Sequence, residues 1–300
     1  NGGLSVAAND SIITVSGKDF EVKFNSLKGA ITSIDYGNGN ILLKGIKADF
    51  WRSPTDNDFG YNMPERLKDW KEATESQKLT GLNVESSGGN KTLDVLKLAE
   101  SPAKINNDNL QISTTFDLPS VHGQVVITYN VNDKGEIWVH NQLQGIQDSL
   151  PVLPRFGNNF TIKNEYQNVE WYGRGPHENY QDRKTASLVG DYKAKVSDLY
   201  FAYIRPQANG NRTDIRNISF TNDAGRGIVI VAPQTFDFSA HHQYNSDFDP
   251  GMKKAQRHTV DVPQRDLVNI NIDYKEMGVG GDNSWGYMPH EQYQIKPTDM

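Results

Sequence analysis

The chain has 300 residues, of which 36% are hydrophobic and 10% aromatic, carries a formal net charge of −6 at pH 7 and contains no cysteine. The lack of cysteine excludes disulfides, thiolate catalysis and cysteine-bound metals. The chain has no basic run, so we predict no nucleic-acid partner. It also lacks the roughly 18 consecutive apolar residues that a membrane span needs, so we predict no membrane span. The chain begins with Asn1 and shows no signal peptide, so we interpret it as a soluble fragment, cytoplasmic or periplasmic.

Short strands are predicted in the N-terminal part of the chain. Apolar residues alternate with charged ones in Phe20–Phe24, and this period of two is typical of a half-buried strand. The predicted strands of this part are Ile12–Val15, Phe20–Phe24, Ile31–Tyr36 and Ile41–Lys44. The segment Gly37–Asn40 has the composition of a hairpin turn, which we expect to join the last two.

A polar loop and a helix are predicted next. Phe50–Gly60 is rich in Asp, Asn, Ser and Thr, whose side chains bond their own backbone, and this favours a loop. Pro64 suits a first helical turn, and Leu67 and Trp70 share one helical face. We therefore predict one short peripheral helix near 64–78, anchored against the outside of a sheet by Trp70.

The middle of the chain predicts a β-meander. Its strands are Leu110–Leu118, Gln124–Val131 and Glu136–Leu143, with a hairpin turn at Asn132–Gly135. Before them we predict only a weak strand at Thr92–Leu98 and a polar loop at Glu100–Asn109.

The second half of the chain is also rich in predicted strands. These are Asn168–Tyr172, Phe201–Arg205, Arg212–Phe220, Gly227–Ala232, Thr235–Ser239, Thr259–Val262, Leu267–Tyr274 and Gln292–Lys296. Many strands with no crossover helices exclude a TIM barrel or a Rossmann sheet. We predict an all-β fold, one large antiparallel β-sandwich that spans residues 1–300 as a single domain.

The most informative segment is Val169–Ala186. It begins as a strand, which Gly173, Gly175 and Pro176 should end, and we expect the two glycines to adopt backbone angles that other residues resist. The loop that follows crowds acids, bases and a phenol together: His177, Glu178, Asn179, Tyr180, Asp182 and Arg183. Such a loop suits hydrogen bonding to a polyhydroxylated ligand, and the alternative is a solvated loop with internal salt bridges.

Two further segments of the chain also carry uncommon residues. They are Phe50–Gly60, which reads FWRSPTDNDFG, and Glu276–Tyr287, which reads EMGVGGDNSWGY. Together the three resemble the C-terminal domain of the large multidomain bacterial β-galactosidases of glycoside hydrolase family 2. The resemblance extends over roughly Val15–Gln294 and implies a very large β-sandwich, similar to the galactose mutarotase fold.

The resemblance also implies a function for the chain. In the family, the catalytic acid/base and nucleophile belong to a TIM-barrel domain that precedes this one, so we expect no catalytic residue here and no activity from the chain alone. The implied role is to bind carbohydrate and complete the active-site pocket of an enzyme that hydrolyses terminal β-D-galactosides such as lactose. The implied partners are the galactoside, the other domains of the parent enzyme and, in a homo-oligomer, further copies.

Trp285 is the leading candidate for a sugar contact. It lies in a glycine-rich loop where an indole has little core around it, and aromatic faces pack on sugar C–H faces. By resemblance it matches the tryptophan that this domain contributes to the aglycone side of the active site; burial at a sandwich edge is the alternative. The predicted substrate-binding residues are Trp285, His177, Glu178, Asp282 and Asn283, and the predicted pocket framework is Arg174, Arg183, Arg212, Asp56, Asn57 and Asp58.

We predict no metal site and no cofactor in this chain. Asp56-Asn57-Asp58 offers oxygen ligands that either cap a turn or bind a cation, and Asp247-Phe-Asp249 is a weaker candidate for calcium. The resemblance implies magnesium and sodium for the parent enzyme.

Two other functions remain open from the sequence. A free-standing mutarotase-like sugar epimerase or carbohydrate-binding module is one, in which His177 and Glu178 exchange protons with the sugar ring oxygen and the anomeric hydroxyl. A purely structural or assembly domain without a ligand is the other.

Overall fold

The protein is built mainly from antiparallel strands. The computed structural model describes residues 3–86, 91–106, 109–283 and 285–300. Its strands are β1 (Gly3–Asn9), β2 (Ile12–Ser16), β3 (Glu21–Asn25), β4 (Ala30–Asp35), β5 (Leu42–Asp49), β6 (Lys78–Ser86), β7 (Lys91–Thr92), β8 (Ala103–Asn106), β9 (Leu110–Leu118), β10 (Gly123–Val131), β11 (Ile137–Gln144), β12 (Arg155–Ile162), β13 (Asn168–Gly175), β14 (Leu188–Lys195), β15 (Arg212–Thr221), β16 (Gly227–His241) and β17 (Val268–Glu276). The predicted all-β class is confirmed.

The helices are short. They are α1 (Asp56–Gly60), α2 (Met63–Arg66), α3 (Lys68–Glu75), α4 (Val95–Glu100), α5 (Val196–Leu199) and α6 (Asn245–Phe248). The prediction of one helix near 64–78 is wrong, because the segment forms two helices separated at Leu67 and ends before Lys78, where β6 begins. Among the described residues, no helix combines the length and the apolar character that a membrane span requires.

The chain divides into two compact units. Unit 1 comprises Asn1–Ala48, Ser76–Gln147 and Thr298–Met300, and unit 2 comprises Asp49–Glu75 and Asp148–Pro297. The prediction of a single domain over residues 1–300 stays a prediction.

Unit 1 contains two five-stranded sheets. Their strand orders are β4-β3-β2-β1-β8 and β11-β10-β9-β6-β7. The sheets face each other, since the Phe24 ring meets the Tyr129 ring edge-on at 5.6 Å and the Tyr36 hydroxyl donates to the Gly135 carbonyl. In β9 and β10 every second residue is buried, so the alternating apolar residues of these strands form one side of the interface between the two sheets. The predicted meander is confirmed.

Three predictions in unit 1 are wrong, and one strand was not predicted. The strand β1 was missed, although Leu4 and Val6 alternate as its buried residues. Gly37–Asn40 closes no hairpin, because β5 is not a strand of the sheet that holds β4 and the Asp35 carboxylate instead caps the turn. The weak strand at Thr92–Leu98 is mostly α4, whose N-terminus is capped by the Asp94 side chain, and the loop predicted at Glu100–Asn109 contains β8 and partly lies outside the described residues.

Unit 2 contains one twisted antiparallel sheet that positions the candidate site. Within this unit the strand order is β14-β13-β15-β16-β17-β12. The α2–α3 segment is anchored by Trp70, which is fully buried, contacts the Phe50 ring at 5.9 Å and donates from its indole to the Pro151 carbonyl. Phe50 in turn stacks on Phe156 of β12. The predicted role of Trp70 as the anchor is therefore confirmed.

Strand prediction was less accurate in unit 2. The strands β12 and β14 were missed, and the two predicted strands within 227–239 are one strand, β16. Phe201–Arg205 is not a strand, because the Phe201 N–H bonds the Asn209 side chain and the Phe201 carbonyl accepts from Tyr203. The predicted strand at 259–262 is largely a 3₁₀ turn, Thr259–Asp261. The predicted strand at 292–296 begins inside another 3₁₀ turn, Glu291–Tyr293, and Ile295 forms an isolated β-bridge with Leu153.

The glycines of β13 serve close packing rather than unusual backbone angles. The strand continues to Gly175, and neither Gly173 nor Gly175 has a positive φ. A Cβ on Gly173 would lie 2.8 Å from the Cα of Ile215 on the neighbouring strand, and one on Gly175 would lie 3.0 Å from the Trp171 ring. The two glycines therefore let β15 and the Trp171 side chain approach the backbone of β13.

Candidate functional site

Trp285 presents its indole to solvent. Its side chain is 86% exposed, which excludes the alternative of burial within unit 2. Its backbone N–H donates to the Asn283 side chain at 2.9 Å, and the Asp282 carboxylate lies 2.7 Å from Nε2 of His290. Asp282 and Asn283, both predicted to bind substrate, therefore shape the loop beside the indole.

The ends of the Trp285 loop lie close together. A Cβ on Gly281 would lie 2.5 Å from the Tyr287 carbonyl oxygen, so a glycine is needed at this neck. A Cβ on Gly286 would lie 3.4 Å from the Gly60 carbonyl at the end of α1. Gly281 and Gly286 thus permit a tight loop that places Trp285 beside α1 (Asp56–Gly60).

Glu178 is held by three donors, whereas His177 is exposed. The Glu178 carboxylate accepts from the Tyr203 hydroxyl, from Arg183 at 2.6 Å and from the Gly210 N–H at 2.8 Å. Burial and the neighbouring Glu178 carboxylate raise the pKa of Tyr203. His177 lies at the surface. The structure therefore places the two residues in different surroundings: Glu178 is fixed in a hydrogen-bond network, and His177 faces solvent.

A cavity of about 160 Å³ lies in unit 2. Its lining includes Asp56, Asn57, Tyr180, Arg183, Tyr203 and Gln207. Val279, close to the Trp285 loop in sequence, also lines it, and its carbonyl accepts from the Asn57 amide at 3.1 Å. Three predicted framework residues, Asp56, Asn57 and Arg183, thus meet at one cavity next to the segment that leads to Trp285.

The remaining predicted framework residues hold the backbone around this site. Arg174 bonds Asp214 and the carbonyls of Lys184 and Ser187. Arg212 is buried and donates to the carbonyls of Leu199, Gly210 and Pro176. Burial lowers the pKa of Arg212 to about 10, although the Glu178 charge opposes that effect.

Asp58 lies in the first turn of α1 and is fully buried. It forms a capping box with Thr55, pairs with Arg52 and accepts from the Tyr61 hydroxyl at 2.9 Å. Asp56 instead accepts from Gln207 at 3.1 Å and contacts Arg205. The Asp56-Asn57-Asp58 segment therefore acts as a helix cap whose acidic side chains already face protein donors.

The sequence comparisons give the family. The beta-galactosidase small chain family matches residues 16–300. The chain belongs to this family. It is 32% identical to a beta-galactosidase of Priestia megaterium, covering 97% of this chain and 26% of that protein. Beta-galactosidases of Halalkalibacterium halodurans and Streptococcus thermophilus are 29% and 27% identical, over 98% and 99% of this chain and 27% of each relative.

The small chain thus spans about a quarter of the length of the curated relatives that it matches. Those relatives are named as beta-galactosidases, so the family resemblance seen in the three sequence segments is confirmed.

The weaker calcium candidate of the small chain has no free carboxylate. Asp247 is bonded by both Arg265 and the Tyr244 N–H, and Asp249 accepts from Trp51 and pairs with Lys71. In the described parts of the chain, no group of three His, Asp or Glu side chains is arranged to hold a metal ion.

Sequence reasoning missed a buried ionic cluster beside the site. Arg155 of β12 lies 2.6 Å from Glu276, 3.0 Å from Asp273 and 3.7 Å from Asp49, and all four residues are buried. The polar residues of β17 alternate with Ile and Val, which usually indicates a solvated face, but residues 268–273 of this strand are buried or half-buried on both faces. Burial raises the pKa of the nearby Asp237 to about 7.

Proposed function

We propose that this chain forms one wall of the substrate pocket of a β-galactosidase and that Trp285 contacts the sugar on the aglycone side. The observation that carries the proposal is an indole 86% exposed on a glycine-rich loop, in a chain of the small chain family. An exposed tryptophan offers a large apolar face at low conformational cost, which suits packing against the C–H face of a sugar ring. The segment before the loop borders a cavity whose lining includes Asp56, Asn57 and Arg183, and these side chains supply hydrogen-bonding groups nearby.

The proposal puts the bond-breaking chemistry in the part of the enzyme outside this chain. A glycosidase of this kind needs two carboxyl groups on either side of the scissile bond. Two acids of the polar loop in the Val169–Ala186 segment are already engaged: Glu178 by Arg183, Tyr203 and Gly210, and Asp182 by two backbone N–H groups. We therefore propose that both have structural roles.

The proposed partners of this chain are those of the parent enzyme. We propose that its substrates are terminal β-D-galactosides, including lactose, and that the remaining domains of the parent protein pack around this chain. The relatives are about four times as long, which leaves room for a catalytic barrel. We also propose that the parent enzyme forms a homo-oligomer and that it binds magnesium and sodium outside this chain.

Replacement of Trp285 tests the proposed contact. In the full-length enzyme, Trp285→Ala should raise the KM for lactose by a factor of about 5–150, the equivalent of about 1–3 kcal/mol for one lost aromatic contact. Methyl β-galactoside has no aglycone sugar, so its KM should change much less.

Steady-state kinetics on both substrates give the answer, with Trp138→Ala as the matched control. Trp138 is also exposed, at 58%, but lies on β11 in unit 1. Unchanged kinetics for lactose in the Trp285 variant, or equal effects on the two substrates, would remove Trp285 from the aglycone side.

A further inference from the structure

The segment Gly278–Gly280, which we name the rim segment, is held by residues distant in sequence. The Gly278 N–H donates to the Tyr293 carbonyl at 2.9 Å, and the Gly278 carbonyl accepts from Arg52 at 3.2 Å. The Val279 N–H donates to one Asp182 carboxylate oxygen at 3.2 Å, and the Gly280 N–H donates to the other at 2.7 Å. Asp182 therefore binds two successive N–H groups of the rim segment at once.

Gly278 of the rim segment makes this contact possible. A Cβ on Gly278 would lie 2.5 Å from an Asp182 carboxylate oxygen, closer than a real side chain allows, and one on Gly280 would lie at 3.4 Å. The glycine at 278 is thus explained by the carboxylate that lies against it, whereas position 280 has room for a Cβ. Within the described residues, Asp182 has no ion-pair partner, so these N–H groups are its main source of positive potential.

Asp182 lies on a turn that hydrogen bonds hold in place. Tyr180 and Arg183 exchange backbone hydrogen bonds of 3.2 and 2.8 Å on either side of it. The neighbouring Gln181 amide donates to both oxygens of the buried Asp237, at 3.0 and 3.1 Å. The turn is therefore fixed to β16, and Asp182 projects from it onto the rim segment.

The described residues after the rim segment have mostly local contacts. Trp285 bonds the side chain of Asn283, and Asp282 pairs with the exposed His290. The loop residues thus bond mainly to one another, whereas the rim segment that leads into the loop is held by Asp182 and Arg52.

We propose that Asp182 is a positioning residue for Trp285: its carboxylate fixes the Val279 and Gly280 N–H groups and so sets where the indole projects. The sugar-contact part of this inference rests on the proposed function, but the anchoring part stands on the geometry alone. In Asp182→Asn, one carboxylate oxygen becomes an NH₂ group that cannot accept from an N–H, so one of the two bonds is lost at nearly constant size.

Two measurements on the full-length enzyme test the proposal. By hydrogen exchange, Asp182→Asn should speed exchange of the Val279 and Gly280 amides by about tenfold or more while the rest of unit 2 keeps its protection. By kinetics, Asp182→Asn should raise the KM for lactose in the wild-type background but add nothing to Trp285→Ala, because coupled residues are not additive. Asp223→Asn, an equal charge change at an exposed side chain in the β15–β16 turn, is the control.

Unchanged exchange at 279–280 would overturn the proposal, and so would faster exchange throughout unit 2, which indicates a general loss of stability. Additive effects of the two substitutions on the KM would overturn the link to Trp285. If Trp285→Ala alone has no kinetic effect, the proposed sugar contact fails, and the exchange result by itself then decides whether Asp182 anchors the rim segment.

Discussion

Replacement of Arg155 by methionine should lower the free energy of unfolding of unit 2 by about 3–5 kcal/mol at pH 8, because breaking a buried ion pair leaves an uncompensated buried charge. Arg155 is the shared cation of Asp49, Asp273 and Glu276, none of which is more than 5% exposed. Methionine preserves the aliphatic packing of the stem but leaves the three carboxylates without this cation.

Urea unfolding followed by tryptophan fluorescence measures this loss. Trp51, Trp70 and Trp171 are buried in unit 2, whereas Trp138 of unit 1 is exposed and should change less on unfolding. Lys193→Met is the control, since Lys193 pairs with Glu170 at the surface and such pairs contribute about 0–1 kcal/mol. Equal losses in the two variants would contradict a stabilising role for the buried cluster.

Asp237 should make the stability of unit 2 fall as the pH rises from about 4 to about 7. Its side chain is 1% exposed, and burial raises its pKa from 3.8 to about 7. Across that range the folded protein keeps a proton that the unfolded chain has lost, so the unfolding free energy decreases with pH and levels off above about 7. The shift sets an upper limit of about 4 kcal/mol for the effect.

Asp237→Asn removes this titration. Relative to the wild type, the variant should become steadily more stable between pH 4 and pH 7, by up to about 4 kcal/mol, whatever its offset at pH 4. Burial also lowers the pKa of His241 to about 3, which gives the opposite slope below pH 6.5, but this contribution is common to both proteins and cancels in the difference. A difference between the two proteins that does not change with pH would show that Asp237 is ionised in the folded protein throughout.

The sequence predicted the parts of the fold in which one face of a strand is buried and turn residues mark its ends. The meander of β9 to β11 has strict alternation and the Asn132–Gly135 turn, and it formed as expected. The strand β12 was missed because nearly all its residues are buried, including Gly157 and Arg155, so the alternation is lost. The helix near 64–78 was predicted as one element because Leu67 and Trp70 share its buried side, but propensity does not reveal the break at Leu67.

The candidate site was only partly predictable for a similar reason. Glycines around Trp285 indicated an exposed indole, and the structure places it in solvent. The contacts that fix the loop join residues far apart in the chain: Asp182 reaches Gly280, and Arg52 reaches Gly278. The glycines of β13 were predicted to serve backbone freedom and instead make room for Ile215. Pairings of this kind depend on which strands become neighbours, and local composition carries no signal for them.

The central claim is that this chain completes a galactoside site whose reacting carboxylates lie elsewhere in the parent enzyme. The most direct measurement is hydrolysis of nitrophenyl β-galactoside by the full-length enzyme and by the isolated 300-residue chain at equal molar concentration. We expect turnover by the full-length enzyme and none above the uncatalysed rate by the isolated chain. Turnover by the isolated chain, or none by the full-length enzyme, would contradict it.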